Sequence, residues 1–389
     1  MSRLNELIQS ICPNGIEYKN LKDVLSIERG KRVVKKQLSE VHGYPVYQNS
    51  LTPLGLYVEY NCPENTAFVI MAGAAGEIGY SRERFWAADD CFAIVCPSSI
   101  CSKYIYHVLL NEQMVLKRNV RKASIPRLSR DTLECLKIPL PPLAVQQEIV
   151  RILDSFTELT AELTAELTAR RKQYEHYRDE LLTFDGSVKR MALKDVCIKV
   201  QDGNYGKEYP SKSELLKSGV PLINGKAIHG TICKEALDFI SEEKNEELKK
   251  ARIATDDVLF LNRGNIGETA YVPSEFDNCN IGPQVTLLRA NKSKILPKYL
   301  EFALHSKDVR NFISRVGGGT IKFLSVEPIR QLEIPVPPLA IQKQIVSVFA
   351  RFDTLCNDLT SGLPAEIAAR QKQYEYYRDK LLTFKELER

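Results

Sequence analysis

The sequence predicts an α+β chain: two tandem, strand-rich globular heads separated by two long helices that pair as an antiparallel coiled coil. Three observations predict it. The 389-residue chain repeats itself once. Each repeat ends in an apolar seam stepping by three and four residues, the spacing of a coiled coil. Each seam is preceded by short apolar runs bounded by Gly, Pro, Asn and Asp, the pattern of strands and turns.

The repeat is plain in two blocks. IPLPPLAVQQEIV at 138–150 returns as IPVPPLAIQKQIV at 334–346, an offset of 196, and RKQYEHYRDELLTF at 171–184 returns as QKQYEYYRDKLLTF at 371–384, an offset of 200. The second copy has therefore gained four residues between the blocks. Weaker echoes precede them. Leu21–Val24 matches Leu193–Val196, Gly76-Glu-Ile-Gly79 matches Gly264-Asn-Ile-Gly267, and Ser124–Ser129 matches Thr320–Ser325. So long a period indicates a duplicated domain and not a solenoid. The expected divisions are a first head with its N-terminal segment (1–137), a central helical spacer (138–187), a second head (188–333) and a C-terminal helical spacer (334–389).

In the first spacer the seam runs Val145, Ile149, Ile152, Phe156, Leu159, Leu163, Leu167, Arg170, Tyr174, Tyr177, Leu181, Phe184. In the second it runs Ile341, Ile345, Val348, Phe352, Leu355, Leu359, Leu363, Ile367, Arg370, Tyr374, Tyr377, Leu381, Phe384. Pro139-Leu-Pro-Pro142 and Pro335-Val-Pro-Pro338 forbid helix upstream. About 40 residues of seam make roughly 60 Å of helix, which favours a coil over a helix lying on its own head. The first helix ends where the second head begins, and the second helix starts where that head ends. An antiparallel pair then returns the C-terminus to the first head, a dumbbell with approximate two-fold symmetry. A parallel dimer between chains is the competing arrangement. Gly362 and Pro364 interrupt the second seam and predict a kink, or a stop and restart with Pro364 in a first turn.

In the heads, Thr66–Met71, Phe92–Val95, Asp257–Leu261 and Val285–Leu288 read as strands, and Lys103–Val115 and Pro297–Ser314 as helices. Apolar content of 44% and charged content of 26% are ordinary for a globular protein, and the net charge of +5 permits a polyanion partner without demanding one. No apolar run is long enough for a membrane span, and the N-terminus lacks a signal-peptide pattern, so a cytoplasmic protein is expected. Ten cysteines form no C-x-x-C pair, and Cys91, Cys96 and Cys101 read as reduced thiols, with no metal site. The sequence holds no phosphate loop, no H-E-x-x-H, no histidine cluster and no Asn/Asp-Pro-Pro-aromatic signature of adenine methylation. No catalytic residue is assigned. A recognition protein is the reading, against a coiled-coil structural adaptor or a self-contained DNA-modifying enzyme.

Loops mixing cations, amides and aromatics supply the candidate contacts. Arg, Asn and Gln read base edges with paired hydrogen bonds, while Lys and Arg hold phosphates. In the first head the candidates are Lys31, Arg32, Lys35, Lys36, Gln48, Asn49, Lys122 and Arg127. In the second they are Asn204, Tyr205, Lys207, Asn224, Lys226, Arg263, Asn265 and Lys322. The same residue types also build solvated turns.

Two variable heads, each followed by I-P-x-P-P-L-A-x-Q and a long helix ending Y-x-x-Y-R-D-x-L-L-T-F, resemble the specificity subunit of a type I restriction-modification system. The start, Leu7–Gly15, and the repeated Ser/Thr-Ile-x-x-Leu-Ser fit the same resemblance. The resemblance implies that each head is a target-recognition domain reading one half of a split, asymmetric site in double-stranded DNA. It implies that the helices set the gap and dock two modification subunits that methylate adenine at N6, and that motor-nuclease subunits join to cleave. No cofactor is then bound by this chain; S-adenosylmethionine, ATP and Mg belong to partner subunits. Tyr174, Tyr177, Arg178, Tyr374, Tyr377 and Arg378 are candidate partner-binding residues, or they simply fill the seam.

The run TELTAELTAELTA at 157–169 resembles the repeats of the subgroup called type IC. It breaks the seam with successive steps of four, a stutter that locally unwinds a supercoil. Glu158, Glu162 and Glu166 form a mildly repulsive row, relieved only where Glu166 meets Arg170. Stability is a poor reason for such a repeat, and length a better one. One unit adds about 6 Å and a net turn of about 40°, close to one base pair of DNA at about 3.4 Å and roughly 35°. The tract is expected to act as a ruler; replication slippage tolerated by the helix is the competing account.

Overall fold

A computed structural model describes residues 2–184, 186–206, 209–316, 323–357 and 361–387. The chain divides into two units. Unit 1 comprises 1–164 and 366–389, and unit 2 comprises 165–365. The C-terminal helix thus belongs with the first head, as the connectivity predicts.

Unit 1 opens with α1 (Ser2–Ile11), β1 (Tyr18–Asn20) and the single turn α2 (Leu21–Val24). Two sheets follow. In one, β2 (Ser26–Arg29), β5 (Thr66–Ile70), β6 (Ile78–Ser81) and β8 (Cys91–Val95) lie antiparallel in the order β2-β8-β5-β6; in the other, β3 (Tyr44–Tyr47), β4 (Leu56–Tyr57) and β7 (Trp86–Ala87) lie in the order β4-β3-β7. The helices α3 (Ser102–Asn111), α4 (Gln113–Arg118) and α5 (Arg130–Glu134) lead to β9 (Lys137–Pro139), which pairs with β1, and then to α6 (Leu143–Leu181). Alternate residues of the strands face the core, where Leu21, Val69, Ile94, Tyr104 and Leu109 pack with Val145, Ile149 and Leu153 of α6.

Unit 2 repeats this plan. β10 (Arg190–Ala192) runs into α7 (Leu193–Val196), and β11 (Cys197–Asp202), β14 (Val258–Leu261), β15 (Thr269–Tyr271) and β17 (Val285–Ala290) form a sheet ordered β11-β17-β14-β15. β12 (Val220–Ile223), β13 (Asp238–Ile240) and β16 (Asn280–Ile281) form the second, ordered β13-β12-β16, with α8 (Glu242–Glu247) between β13 and β14 in sequence. α9 (Pro297–Leu304), α10 (Lys307–Val316), α11 (Val326–Gln331), β18 (Glu333–Pro335) and α12 (Leu339–Asn357) complete it, and α13 (Leu363–Leu382) returns to unit 1. Even the pairing senses agree: β3–β7 and β12–β16 are the parallel pairs of the two smaller sheets. The helices read as Lys103–Val115 and Pro297–Ser314 are each two helices, broken at Glu112 and at His305–Ser306.

The duplicated glutamine of the I-P-x-P-P-L-A-x-Q motif has a structural cause. Gln146 is 2% exposed; its Oε1 accepts from the Cys101 backbone N–H at 2.9 Å and its Nε2 donates to the Pro141 carbonyl at 2.8 Å. Gln342 does the same with Leu296 N–H and the Pro337 carbonyl, both at 2.8 Å. Each amide ties the proline turn to the start of a head helix, satisfying backbone groups the turn leaves over. Replacing either Gln by Leu strands a buried donor and acceptor, and we expect a loss of about 2–4 kcal/mol in chemical denaturation.

The seam holds in part. At the start of α6 the buried apolar residues are Val145, Ile149 and Leu153, and along the start of α12 they are Ile345 and Phe349, whereas Val348 is 37% exposed. The first three turns of each helix therefore lie on their own head, and the stripe steps by fours before the coil begins. Beyond them, within unit 1 Phe156 stacks on Tyr377 at 5.3 Å, and within unit 2 Tyr174 meets Phe349 and Phe352 at 5.6 and 5.9 Å. α6 runs unbroken through the TAEL tract, where Thr160 and Thr164 hydroxyls donate to carbonyls one turn back and Glu166 pairs with Arg170 at 3.4 Å. The second seam stops and restarts: α12 ends at Asn357 and α13 begins at Leu363, with Pro364 in its first turn. There the missing N–H would be unsatisfied anyway. Leu359 of the predicted seam lies outside the described residues.

One polar feature of unit 2 makes its stability depend on pH. His305 sits beside Thr269, whose hydroxyl lies 2.7 Å from Nε2, and burial, with Arg178 and Arg310 nearby, pushes its pKa down to about 4. An unfolded histidine titrates near 6.5. Between these values the unfolded chain takes up a proton that the folded chain refuses. Stability is therefore complete above about 6.5 and falls as pH drops towards about 4, on the order of 1–3 kcal/mol. A His305→Gln variant is expected to show a flatter dependence in that window.

Candidate nucleic-acid interface

In unit 1, β2, β3, β5 and β7 all end at one edge of the two sheets, and β8 begins there. The loops that follow these ends are held together by backbone bonds. Ala74 N–H donates to Asn49 O at 2.9 Å, Gly73 N–H to Pro126 O at 3.1 Å, and Lys31 N–H to Ala87 O at 2.9 Å. Gly30 crosses so close to the neighbouring chain that a Cβ there would lie 2.1 Å from the Ala88 carbonyl oxygen. This edge gathers candidates from three separate stretches, 31–36, 48–49 and 122–127. Lys31, Arg32, Lys35 and Lys36 are exposed, and no ion pair among the described residues engages them, while the buried Val33 pins their loop. Asn49, Lys122 and Arg127 are also exposed; Gln48 is half-buried, its Nε2 3.4 Å from Asp89 Oδ1.

Unit 2 builds the same edge with different side chains. Gly203 takes the place of Gly30, a Cβ there falling 2.0 Å from the Gly282 carbonyl oxygen. The β14–β15 turn repeats the β5–β6 turn bond for bond: Gly267 N–H donates to Leu261 O as Gly76 does to Ile70 O, and Glu268 N–H to Asn265 O as Glu77 does to Ala74 O. The positive φ values agree as well, +81° and +84° at Gly73 and Gly76, +79° and +95° at Gly264 and Gly267. The counterpart of Gly264-Asn-Ile-Gly267 is therefore Gly73-Ala-Ala-Gly76, not the Gly76–Gly79 stretch that the sequence suggests. The two glycines must carry left-handed backbone at one particular turn, and matching by letters slides along by three. The echo at Ser124–Ser129 agrees in its described part, where Leu128 N–H donates to Met71 O and Leu324 N–H to Asn262 O; Thr320, Ile321 and Lys322 lie outside the described residues.

The candidates of unit 2 do not share one environment. Tyr205 (63% exposed), Arg263 and Asn265 face outward, with the Arg263 guanidinium 5.0 Å from the centre of the Phe323 ring. Asn204 and Asn224 are corrections: they are buried. Asn204 Nδ2 donates to Asn280 Oδ1 at 3.1 Å; Asn224 accepts from the Tyr209 hydroxyl at 3.1 Å and donates to Asp238 at 2.8 Å. Their amides brace the loops from within, because a buried amide must find internal partners. Lys226 is tied to Asp238 at 2.7 Å. Lys207 and Lys322 lie outside the described residues. Behind the edge, burial raises the Asp202 pKa, partly offset by hydrogen bonds from Thr286 and Asn262. One residue was missed from sequence: exposed Lys250, whose ammonium stands 5.9 Å from the Tyr205 ring centre. It sits in an acid-rich stretch, EEKNEELKKA, that reads as a plain solvated helix.

The helix-end candidates are engaged internally. Arg178 stacks near Tyr174 and Arg378 near Tyr374, at 5.8 and 5.7 Å. The Tyr374 hydroxyl reaches His107 Nδ1 at 3.1 Å, and Arg378 Nε donates to Asn111 at 3.4 Å. Burial pushes Tyr174 and Tyr374 up to about 12, so both stay neutral phenols. Tyr177 is 37% exposed. Of the three cysteines spaced by five, Cys91 is buried and Cys96 and Cys101 are half-buried; burial raises the Cys91 pKa well above the usual range and that of Cys96 to about 11.

Residues 13–170 and 186–369 each match the family of type I restriction modification DNA specificity domains. A type I restriction enzyme specificity subunit of Haemophilus influenzae is 32% identical over 95% of this chain and 96% of its own length. The chain belongs to the type I restriction-modification specificity family. The specificity subunit of the Escherichia coli EcoR124I/EcoR124II enzyme is 31% identical over 95% of the chain and 89% of its own length. The fold agrees with the crystal structure of an S subunit from M. genitalium (TM-score 0.61, 17% identity, 95% of this chain and 96% of that one). A second structure, from work on assembly of a type I system, gives a TM-score of 0.63 at 17% identity, covering 95% of this chain and 98% of that one. Membership explains the two matched segments, one per unit, and makes the chain a recognition subunit rather than an enzyme.

Proposed function

We propose that each loop-bearing edge reads one half of a split double-stranded DNA site, that α6, α12 and α13 set the gap between the halves, and that they dock two modification subunits. The observation carrying this reading is the duplicated edge: one backbone frame, built twice, bearing different outward side chains. A fixed frame with variable contacts is what a subunit reading two unlike half-sequences requires. Lys31, Arg32, Lys35 and Lys36 supply phosphate contacts that hold register, and Asn49, Arg127, Arg263 and Asn265 are the side chains presented to base edges. S-adenosylmethionine, ATP and Mg act on the modification and motor-nuclease subunits. No helix among the described residues is long and apolar enough to cross a membrane, and the site of action is the cytoplasm, where the DNA is. Mapping methylated adenines in a host expressing this chain with its modification partner tests the reading. A split motif with a fixed gap is expected. Methylation that does not require this chain, or an unsplit motif, overturns it.

A further inference from the structure

The two edges share one backbone frame, yet one corner of it is built with opposite chemistry. In unit 1 that corner is Arg29, Phe92 and Met71. Arg29, the last residue of β2, stands opposite Phe92 of β8, and Phe92 stands opposite Val69 of β5. In unit 2, Asp202, the last residue of β11, stands opposite Thr286 of β17, and Thr286 opposite Phe260 of β14. Asn262 takes the place of Met71, for each accepts at its carbonyl from the matching leucine, Leu324 or Leu128. Phe92 and Met71 are 8% and 5% exposed and belong to the apolar core beneath the exposed Arg29. Thr286 and Asn262 are wholly buried as well, but polar.

Their hydrogen bonds converge on the carboxylate. The Thr286 hydroxyl donates to Asp202 Oδ1 at 2.6 Å. Asn262 Nδ2 donates to the same oxygen at 3.3 Å and to Thr286 Oγ1 at 3.1 Å. Asn262 Oδ1 finds no partner among the described residues. The amide therefore serves as a donor alone, and a buried oxygen is left unmet. Packing does not call for this, because Met71 fills the equivalent place with no polar atom to satisfy. Asp202 itself is half-buried, and both of its bonds go to Oδ1. Arg330 and Lys250 act on it through charge alone, without an ion pair. A carboxylate on a surface that meets phosphates is repelled by them, and is favoured there when it accepts from a base amine.

We infer that Asp202 is a specificity-determining residue of unit 2: its Oδ2 accepts a hydrogen bond from the exocyclic amine of a base, cytosine N4 or adenine N6, in the half-site this unit reads. Thr286 and Asn262 are positioning residues, which saturate Oδ1 and leave Oδ2 for the base. The equivalent corner of unit 1 carries a donor, Arg29. The two heads thus present opposite hydrogen-bonding polarity at one point of a common frame, as two unlike half-sequences require. This inference rests on the proposed reading of a split DNA site.

Methylated sites are mapped in hosts that express the modification partner with the wild-type chain or with Asp202→Ala. One base pair of one half-site should relax, and the other half should stay unchanged. Whether that pair is C·G or A·T tells cytosine from adenine. Duplexes in which the pair lacks its amine, with pyrimidin-2-one for cytosine or purine for adenine, then test the contact itself. The analogue should weaken binding by the wild-type complex about tenfold and leave binding by the Asp202→Ala complex unchanged. Asp202→Asn keeps the shape and the Thr286 bond but sets an amide N–H against the base amine, so it should relax the same pair. Thr286→Val with Asn262→Leu should relax it too, with a melting temperature unchanged or raised, a result that lost packing does not give. An unchanged motif, relaxation in both halves, or losses from variant and analogue that add overturns the inference while wild-type split-site methylation keeps the functional proposal standing. Absence of split-site methylation with the wild type sinks the functional proposal, and this inference with it.

Discussion

Deleting one Thr-Ala-Glu-Leu unit from α6 should shorten the gap between the two methylated half-sites by about one base pair, and inserting one should lengthen it by about the same. The helix is continuous from Leu143 to Leu181, and the division between the units, Thr164 to Ala165, falls inside the tract. Four residues change the helix by about 6 Å and about 40°. Because Leu159, Leu163 and Leu167 are all half-buried at steps of four, losing one unit lays the next leucine nearly where the last one was. The seam should therefore survive with little loss of stability, while the recognition edges shift by a set step. Sequencing of methylated sites from two-, three- and four-unit variants reads the step directly. Identical gaps in all three would leave the tract with no role beyond tolerated slippage.

Replacing Lys31, Arg32, Lys35 and Lys36 together by Gln should weaken specific DNA binding by the assembled complex roughly a thousandfold at about 0.1 M salt. The slope of log affinity against log salt should flatten by about 0.9 for each phosphate that the loop no longer neutralises. All four side chains are exposed, so melting should not change. The sequence preference should stay the same, because phosphate contacts carry register and not base identity. Substituting Arg263 or Asn265 should do the opposite, relaxing one position of one half-site by about 1–3 kcal/mol with a small effect on the salt slope. Charge removal that leaves the salt slope untouched would show that this loop lies off the DNA.

Much of the architecture is legible in the letters because it rests on local rules written twice. The I-P-x-P-P turns, the three-four seams and the helix-breaking Gly362 and Pro364 each act on backbone within a turn or two of themselves. The glutamine of the repeated motif could be seen as a repeat, though its purpose could not. Its partners, Cys101 and Pro141, are separated in the chain by three helices and a strand, and only the fold brings them to one amide. The candidate site was legible in its residue types and less so in its members. Asn204 and Asn224 have the composition of exposed turns and are buried, because Asn280 and Asp238 arrive from other strands to meet them. Lys250 was hidden for the converse reason, a cation in an acidic stretch carried to the edge beside Tyr205.

By itself, then, the sequence determined the duplication, the spacer helices, the break before α13 and the family, since each depends on periodicity or on short motifs that any chain with these letters must obey. The tertiary structure alone decided which loops share an edge, which amides are locked inside, and which turn of the first unit answers to which turn of the second. The reason is physical. Backbone geometry is set by neighbours in the chain, whereas burial and ion pairing are set by neighbours in space, and these come from residues far apart in the sequence.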